Sequence, residues 1–199
     1  MVQKLDTLQE TPSQTAGPYV HIGLMPTYAG NAGAFEEEIG TSPIADGAQG
    51  EIIEITGSVF DGTGSALRDA LMEAWQPDAN GIFPGQDDAD PKVTGHCRFA
   101  ADADTGEFTL RTVKPGATGL RDGRMQAPHI AIWIVARGIN IGLSTRIYFE
   151  DEDNTRDPLL SRIEQRHRVD TLIAKKTGEG RYRFDIRLQG NGETVFLDM

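Results

Sequence analysis

The chain has 199 residues, 38% of them hydrophobic, which suits a single domain; chains usually divide only beyond ~250–300 residues. Its 19 Lys and Arg against 30 Asp and Glu leave a net charge of −11. Neutralising phosphates takes clustered cations, so nucleic acid is excluded as a partner, and an anionic membrane surface fits as poorly. No run reaches the ~18 apolar residues of a membrane span, and Met1-Val-Gln-Lys-Leu-Asp-Thr7 lacks the apolar core of a signal peptide. The single cysteine, Cys97, allows no disulfide within the chain, so a cytoplasmic location is expected.

Residues 1–50 read as an arm and 51–199 as the core of one domain. The arm is rich in Gly, Pro, Ser and Thr and carries an acidic knot at Glu36, Glu37 and Glu38. Thr11-Pro-Ser-Gln-Thr-Ala-Gly-Pro18 cannot be a helix interior, because its two prolines lack the amide hydrogen and bias the residues before them to extended backbone.

From Glu51 the signals are those of strands. Glu51–Phe60 is β-branched and ends in the turn Asp61-Gly-Thr-Gly64. Leu67–Gln76 reads as a strand stopped by Pro77, although Ala-Leu-Met-Glu-Ala would also suit a helix. The turn Asp104-Thr-Gly106 introduces Glu107–Val113, which stops at Lys114-Pro-Gly116. Further strands are expected over His129–Ala136, Leu143–Phe149, Thr171–Lys175, Tyr182–Leu188 and Glu193–Leu197. Asp157-Pro158 offers an N-cap and a first-turn proline, so one short helix is expected over Pro158–Arg168. The whole predicts an all-β fold: a two-sheet antiparallel β-sandwich with an extended N-terminal arm.

The four histidines, His21, His96, His129 and His167, show no i, i+2 or i, i+4 pair that would bind a metal locally. His129 lies in the apolar run Pro128–Val135, where a hydrogen-bonded core or interface histidine is the simpler reading. Asp87, Asp88 and Asp90 lack the spacing of a calcium loop and read as a solvated acidic loop. His96 and Cys97 are adjacent, which in a strand would put them on opposite faces, so the pair does not point to a shared metal. No phosphate-binding glycine loop and no Gly-x-Ser-x-Gly elbow is present. Read from its residues alone, the chain shows no catalytic centre.

Several separated segments nevertheless carry a resemblance. They are Glu10–Gly23, Gly57–Gly62, Glu73–Gln76 with Asn80-Gly81, Arg111–Gly116, Ala127–Ile130, Ala136–Ile141, Tyr182–Arg187 and Gly192–Phe196. In this order they resemble the intradiol ring-cleavage dioxygenases, and within that family the alpha type of chain that pairs with a beta subunit to act on protocatechuate. The resemblance implies a large hetero-oligomer in which Fe(3+) is held by the beta subunit through two tyrosines and two histidines. Ferric iron favours such anionic oxygen donors. At the matching positions this chain has Phe83, Thr118, His129 and Ala131, and Gln126 where an arginine is expected. One ligand of four holds no iron, so no metal is expected on this chain, and no catalytic residue on it alone. The resemblance also implies that Thr15, Gly17, Pro18 and Arg137 line the pocket where protocatechuate meets O2 and is opened to 3-carboxy-cis,cis-muconate. Arg137 would then face the ring carboxylate that plain catechol lacks. Simpler roles exist for these residues: Pro18 stiffens the arm, and Arg137 bridges an interface. A non-enzymatic transthyretin-like sandwich remains the alternative; it explains the missing ligands but not the arm.

Overall fold

A computed structural model describes residues 12–36 and 40–198. Four strands form one half of the fold: β2 (Leu71–Trp75), β3 (His96–Ala100), β7 (His129–Val135) and β8 (Leu143–Phe149). The other half holds β1 (Ile52–Phe60), β4 (Glu107–Val113), β9 (Ile173–Gly178), β10 (Arg181–Arg183) and β11 (Ile186–Arg187). A short hairpin, β5 (Thr118–Gly119) with β6 (Met125–Gln126), stands apart. The order β11-β1-β10-β9-β8-β7-β2-β3, with β4 on the other edge of β1, joins the two halves through β9 and β8.

Alternation closes them on each other. Ile130, Ile132 and Ile134 of β7 and Cys97 and Phe99 of β3 point inward, towards Ile53, Ile55, Phe108 and Leu110 from the opposite half. The Phe99 and Phe108 rings meet across this core at 5.6 Å. Most pairings are antiparallel, as expected, but β1 runs parallel to β10 and β11, and β8 to β9.

Four expectations need correction. The helix over Pro158–Arg168 does not form as one unit. Asp157 does cap the segment, accepting from the Leu159 and Leu160 amides at 2.8 and 2.9 Å. The chain then turns extended at Ile163, giving two 3-10 helices, Leu160–Arg162 and Arg166–Leu172. This break lets Leu160, Ile163 and Leu172 join the cluster that holds Tyr148 and Ala127. The arm is not wholly extended: α1 (Pro18–Leu24) is a helix with Pro18 in its first turn. Tyr182–Leu188 splits into β10 and β11 because the Asp185 carboxylate takes the Ser58 amide at 3.1 Å. Glu193–Leu197 forms no strand. The hydroxyls of Thr145 and Thr171 take the Val195 carbonyl and amide, leaving one bridge between Leu197 and Ser144. Strand β3, with only two inward apolar residues, went unrecognised in the sequence.

Candidate functional site

Three segments converge beside the arm. The Thr15 hydroxyl accepts from the Gly138 amide at 2.8 Å and donates to the Ala136 carbonyl at 3.3 Å. It therefore grips the backbone on both sides of Arg137. Tyr28 donates to the Ala101 carbonyl at 2.6 Å, anchoring the far end of the arm on the same domain. Between these anchors lies a cavity of about 510 Å³, lined among others by Gly17, Pro18, His21, Tyr28, Arg68 and Arg137. The structure thus brings together Thr15, Gly17, Pro18 and Arg137, from positions more than a hundred residues apart. Two further residues join the cluster: Asp69 carries no mark in the sequence, and His21 stands there only as one of four histidines without a local pair. Asp69 accepts from Arg137 Nε at 2.6 Å, and His21 is buried with Nε2 unpartnered. Asp69 sat unmarked within the expected strand Leu67–Gln76, and only the end of β7 meeting it in space reveals it.

The positions matched to iron ligands lie elsewhere, on the outer face of β7 and the loops beside it. Buried Gln76 ties the end of β2 to the end of β4: its Nε2 donates to the Val113 carbonyl at 2.9 Å, and Thr112 donates to its Oε1 at 2.8 Å. Asp78 folds the following loop by accepting from the Asn80, Ile82 and Asp90 amides. Gly81, at φ +80°, lets that loop approach Ala117 so closely that a Cβ would stand 1.9 Å from its carbonyl oxygen. Phe83 is thereby stacked on Trp75, centroids 5.7 Å apart, and Thr118 is buried.

His129 is buried, its Nδ1 2.7 Å from the Ala127 carbonyl. Burial, with the Arg146 charge adding to it, pushes its pKa down to about 4. Ala131 is paired with Arg146 across β7 and β8. Arg146 donates to the Tyr148 hydroxyl at 3.3 Å, which donates in turn to Asp157 at 3.2 Å. With the Gln126 amide oxygen turned towards it, Arg146 also donates to Gln126 at 2.5 Å.

These residues do not fit ferric iron. Phe83 and Ala131 have no donor atom, Thr118 offers only a neutral hydroxyl, and a guanidinium stands opposite Ala131. Among the described residues no group of three or more His, Cys, Asp or Glu could hold a metal ion. Nor is any helix among them long and apolar enough to cross a membrane. Cys97 is buried and its thiol pushed up to about 12 by burial, while His96 lies half-exposed on the other face.

A family model described as dioxygenase matches residues 24–190. The alpha chain of protocatechuate 3,4-dioxygenase from Pseudomonas putida is 49% identical, over 98% of this chain and 98% of that one. The chain belongs to the intradiol ring-cleavage dioxygenase family. Within this family a beta chain of protocatechuate 3,4-dioxygenase, from Burkholderia cepacia, is 32% identical over 85% of this chain and 78% of its own length. Among solved structures, an intradiol ring-cleavage dioxygenase from Tetranychus urticae shares the fold. Its TM-score is 0.59 at 18% identity, over 80% of this chain and 93% of that one.

Proposed function

We propose that this intradiol dioxygenase chain is the alpha subunit of a cytoplasmic protocatechuate 3,4-dioxygenase. In this reading a beta subunit holds the iron, and the complex opens protocatechuate with O2 to 3-carboxy-cis,cis-muconate. The near full-length similarity to an alpha chain carries the reading. The site chemistry supports it, since Phe83, Thr118 and Ala131 cannot supply ferric ligands.

The alpha chain contributes the arm and Arg137. A charged fork at Arg137 suits a ring carboxylate, which can take two parallel N–H donors. With a net charge of −11 the chain repels an approaching anion, and a local guanidinium offsets this at the point of entry. Thr15 serves by holding the Ala136–Gly138 backbone, and Gly17 and Pro18 form the wall beside it.

Co-expression with a beta-type subunit tests the reading. It expects a coloured, iron-loaded complex that consumes protocatechuate, and a colourless chain when the alpha partner is made alone. An isolated chain that binds one iron and turns over substrate overturns it.

A further inference from the structure

We propose that Asp69 is a positioning residue that aims Arg137 at the substrate carboxylate. The inference rests on the reading of Arg137 given above and extends it to the carboxylate that holds this arginine at the wall of the same cavity.

The geometry is asymmetric. Arg137 has 75% of its side chain exposed, whereas Asp69 has 31%. A long cation in water samples many rotamers, and ordering it costs side-chain entropy. Asp69 sits at the base of the side chain and takes Nε at 2.6 Å. That contact leaves the outer edge of the guanidinium, Nη1 and Nη2, for a second acceptor, because the planar fork presents two separate edges. From the other side Thr15 fixes the backbone at Ala136 and Gly138. Arg137 is thus restrained at its backbone and at its inner nitrogen, with its tip open beside the cavity of about 510 Å³.

The environment of Asp69 argues against a stabilising role. A pair with so exposed a cation contributes little to folding. Its other oxygen, Oδ1, is buried with no hydrogen-bond partner, an arrangement that native structures rarely keep without a reason. Holding the inner nitrogen of Arg137 supplies one.

The test uses the assembled alpha/beta complex carrying Asp69→Ala, Asp69→Asn, Arg137→Ala or Asp69→Ala with Arg137→Ala. Steady-state kinetics on protocatechuate and catechol, iron content and melting temperature are measured for each. Asp69→Ala is expected to raise KM for protocatechuate about three- to tenfold, more than it raises KM for catechol, with a smaller change in kcat. Asp69→Asn, which keeps an acceptor but not the charge, is expected to fall between. Added to Arg137→Ala, the Asp69 substitution is expected to have no further effect on KM. If Asp69→Ala raises KM equally with and without Arg137, or leaves it unaltered while Arg137→Ala raises it, the positioning role is overturned and the reading of Arg137 survives. If Arg137→Ala itself leaves KM for protocatechuate unaltered, both fall. Should Asp69→Ala lower iron content or melting temperature, the same criteria apply to Asp69→Asn.

Discussion

Ala131 on β7 is paired with Arg146 on β8, so a methyl group and a guanidinium share one patch of the outer sheet face. Gln126 and Tyr148 accept from the outer nitrogens of the guanidinium, whose Nε has no partner, and Tyr148 passes the chain on to Asp157. A cation held there works against a second, trivalent one, whatever donors His129 or Thr118 could offer.

The isolated chain is therefore expected to bind no stoichiometric ferric iron and to show no tyrosinate-to-iron absorption. Metal analysis with a visible spectrum checks this. About one iron per chain with charge-transfer colour contradicts it.

His129 gives the chain a pH dependence with a defined sign. Its folded pKa of about 4 lies below the ordinary 6.5, so the unfolded chain takes the proton first as pH falls. Stability is complete above pH ~6.5 and declines between there and pH ~4, by roughly 3 kcal/mol across the window. Denaturant unfolding from pH 7 to pH 4.5 should show this slope, and His129→Gln should flatten it. An equal slope in the variant places the titration on other groups.

Arg137→Ala in the assembled complex is expected to weaken apparent affinity for protocatechuate about ten- to a hundredfold, the worth of one charge-assisted hydrogen bond. Catechol, lacking the carboxylate, should suffer less. Thr15→Ala should give a smaller effect of the same kind, by loosening the Ala136–Gly138 backbone. Equal slowing of both substrates by Arg137→Ala would mean that the arginine holds the assembly together and does not read the carboxylate.

Trp75 and Trp133, 42% and 38% exposed, leave aromatic area on the outer face of β2 and β7. Such area usually marks a protein contact. Trp133→Glu is expected to weaken association with the beta subunit at least tenfold, read by light scattering of the mixture. Gly142→Ala should weaken it less and for a related reason, since a Cβ there would meet Trp133 Nε1 at 2.2 Å and displace the ring. Assembly undiminished in Trp133→Glu puts the interface on another face.

Cys97 should resist alkylation in the folded chain at pH 8, because it is buried and its thiol is pushed up to about 12. Mass spectrometry after iodoacetamide treatment checks it, with denatured protein as the reactive control. Rapid labelling of the native chain contradicts the closed core.

Much of this was legible in the residues. β-branched and apolar runs bounded by turn residues located β1, β4, β7 and β8 within a residue or two at each end. The lack of donors at Phe83 and Ala131 is a matter of side-chain chemistry, and needs no coordinates. Hydrogen bonds between distant segments decided the rest. The N-cap at Asp157 was visible in sequence, but its helix was broken in favour of bringing Leu160, Ile163 and Leu172 into the cluster around Tyr148 and Ala127. The side-chain hydroxyls of Thr145 and Thr171 replaced a strand that local propensity favoured near Val195. Asp69, His21 and Arg146 carry no local signal, since a charged or polar residue in a strand or arm reads as solvated until its partner is known. Thr15 meets Gly138 only where the arm folds back over the end of β7, and Asp69 meets Arg137 only where β2 and β7 pair and run on past Leu71 and Val135. Sequence determined which groups the chain possesses and which it lacks; tertiary structure decided which of them meet, because a hydrogen bond depends on proximity in space and not along the chain.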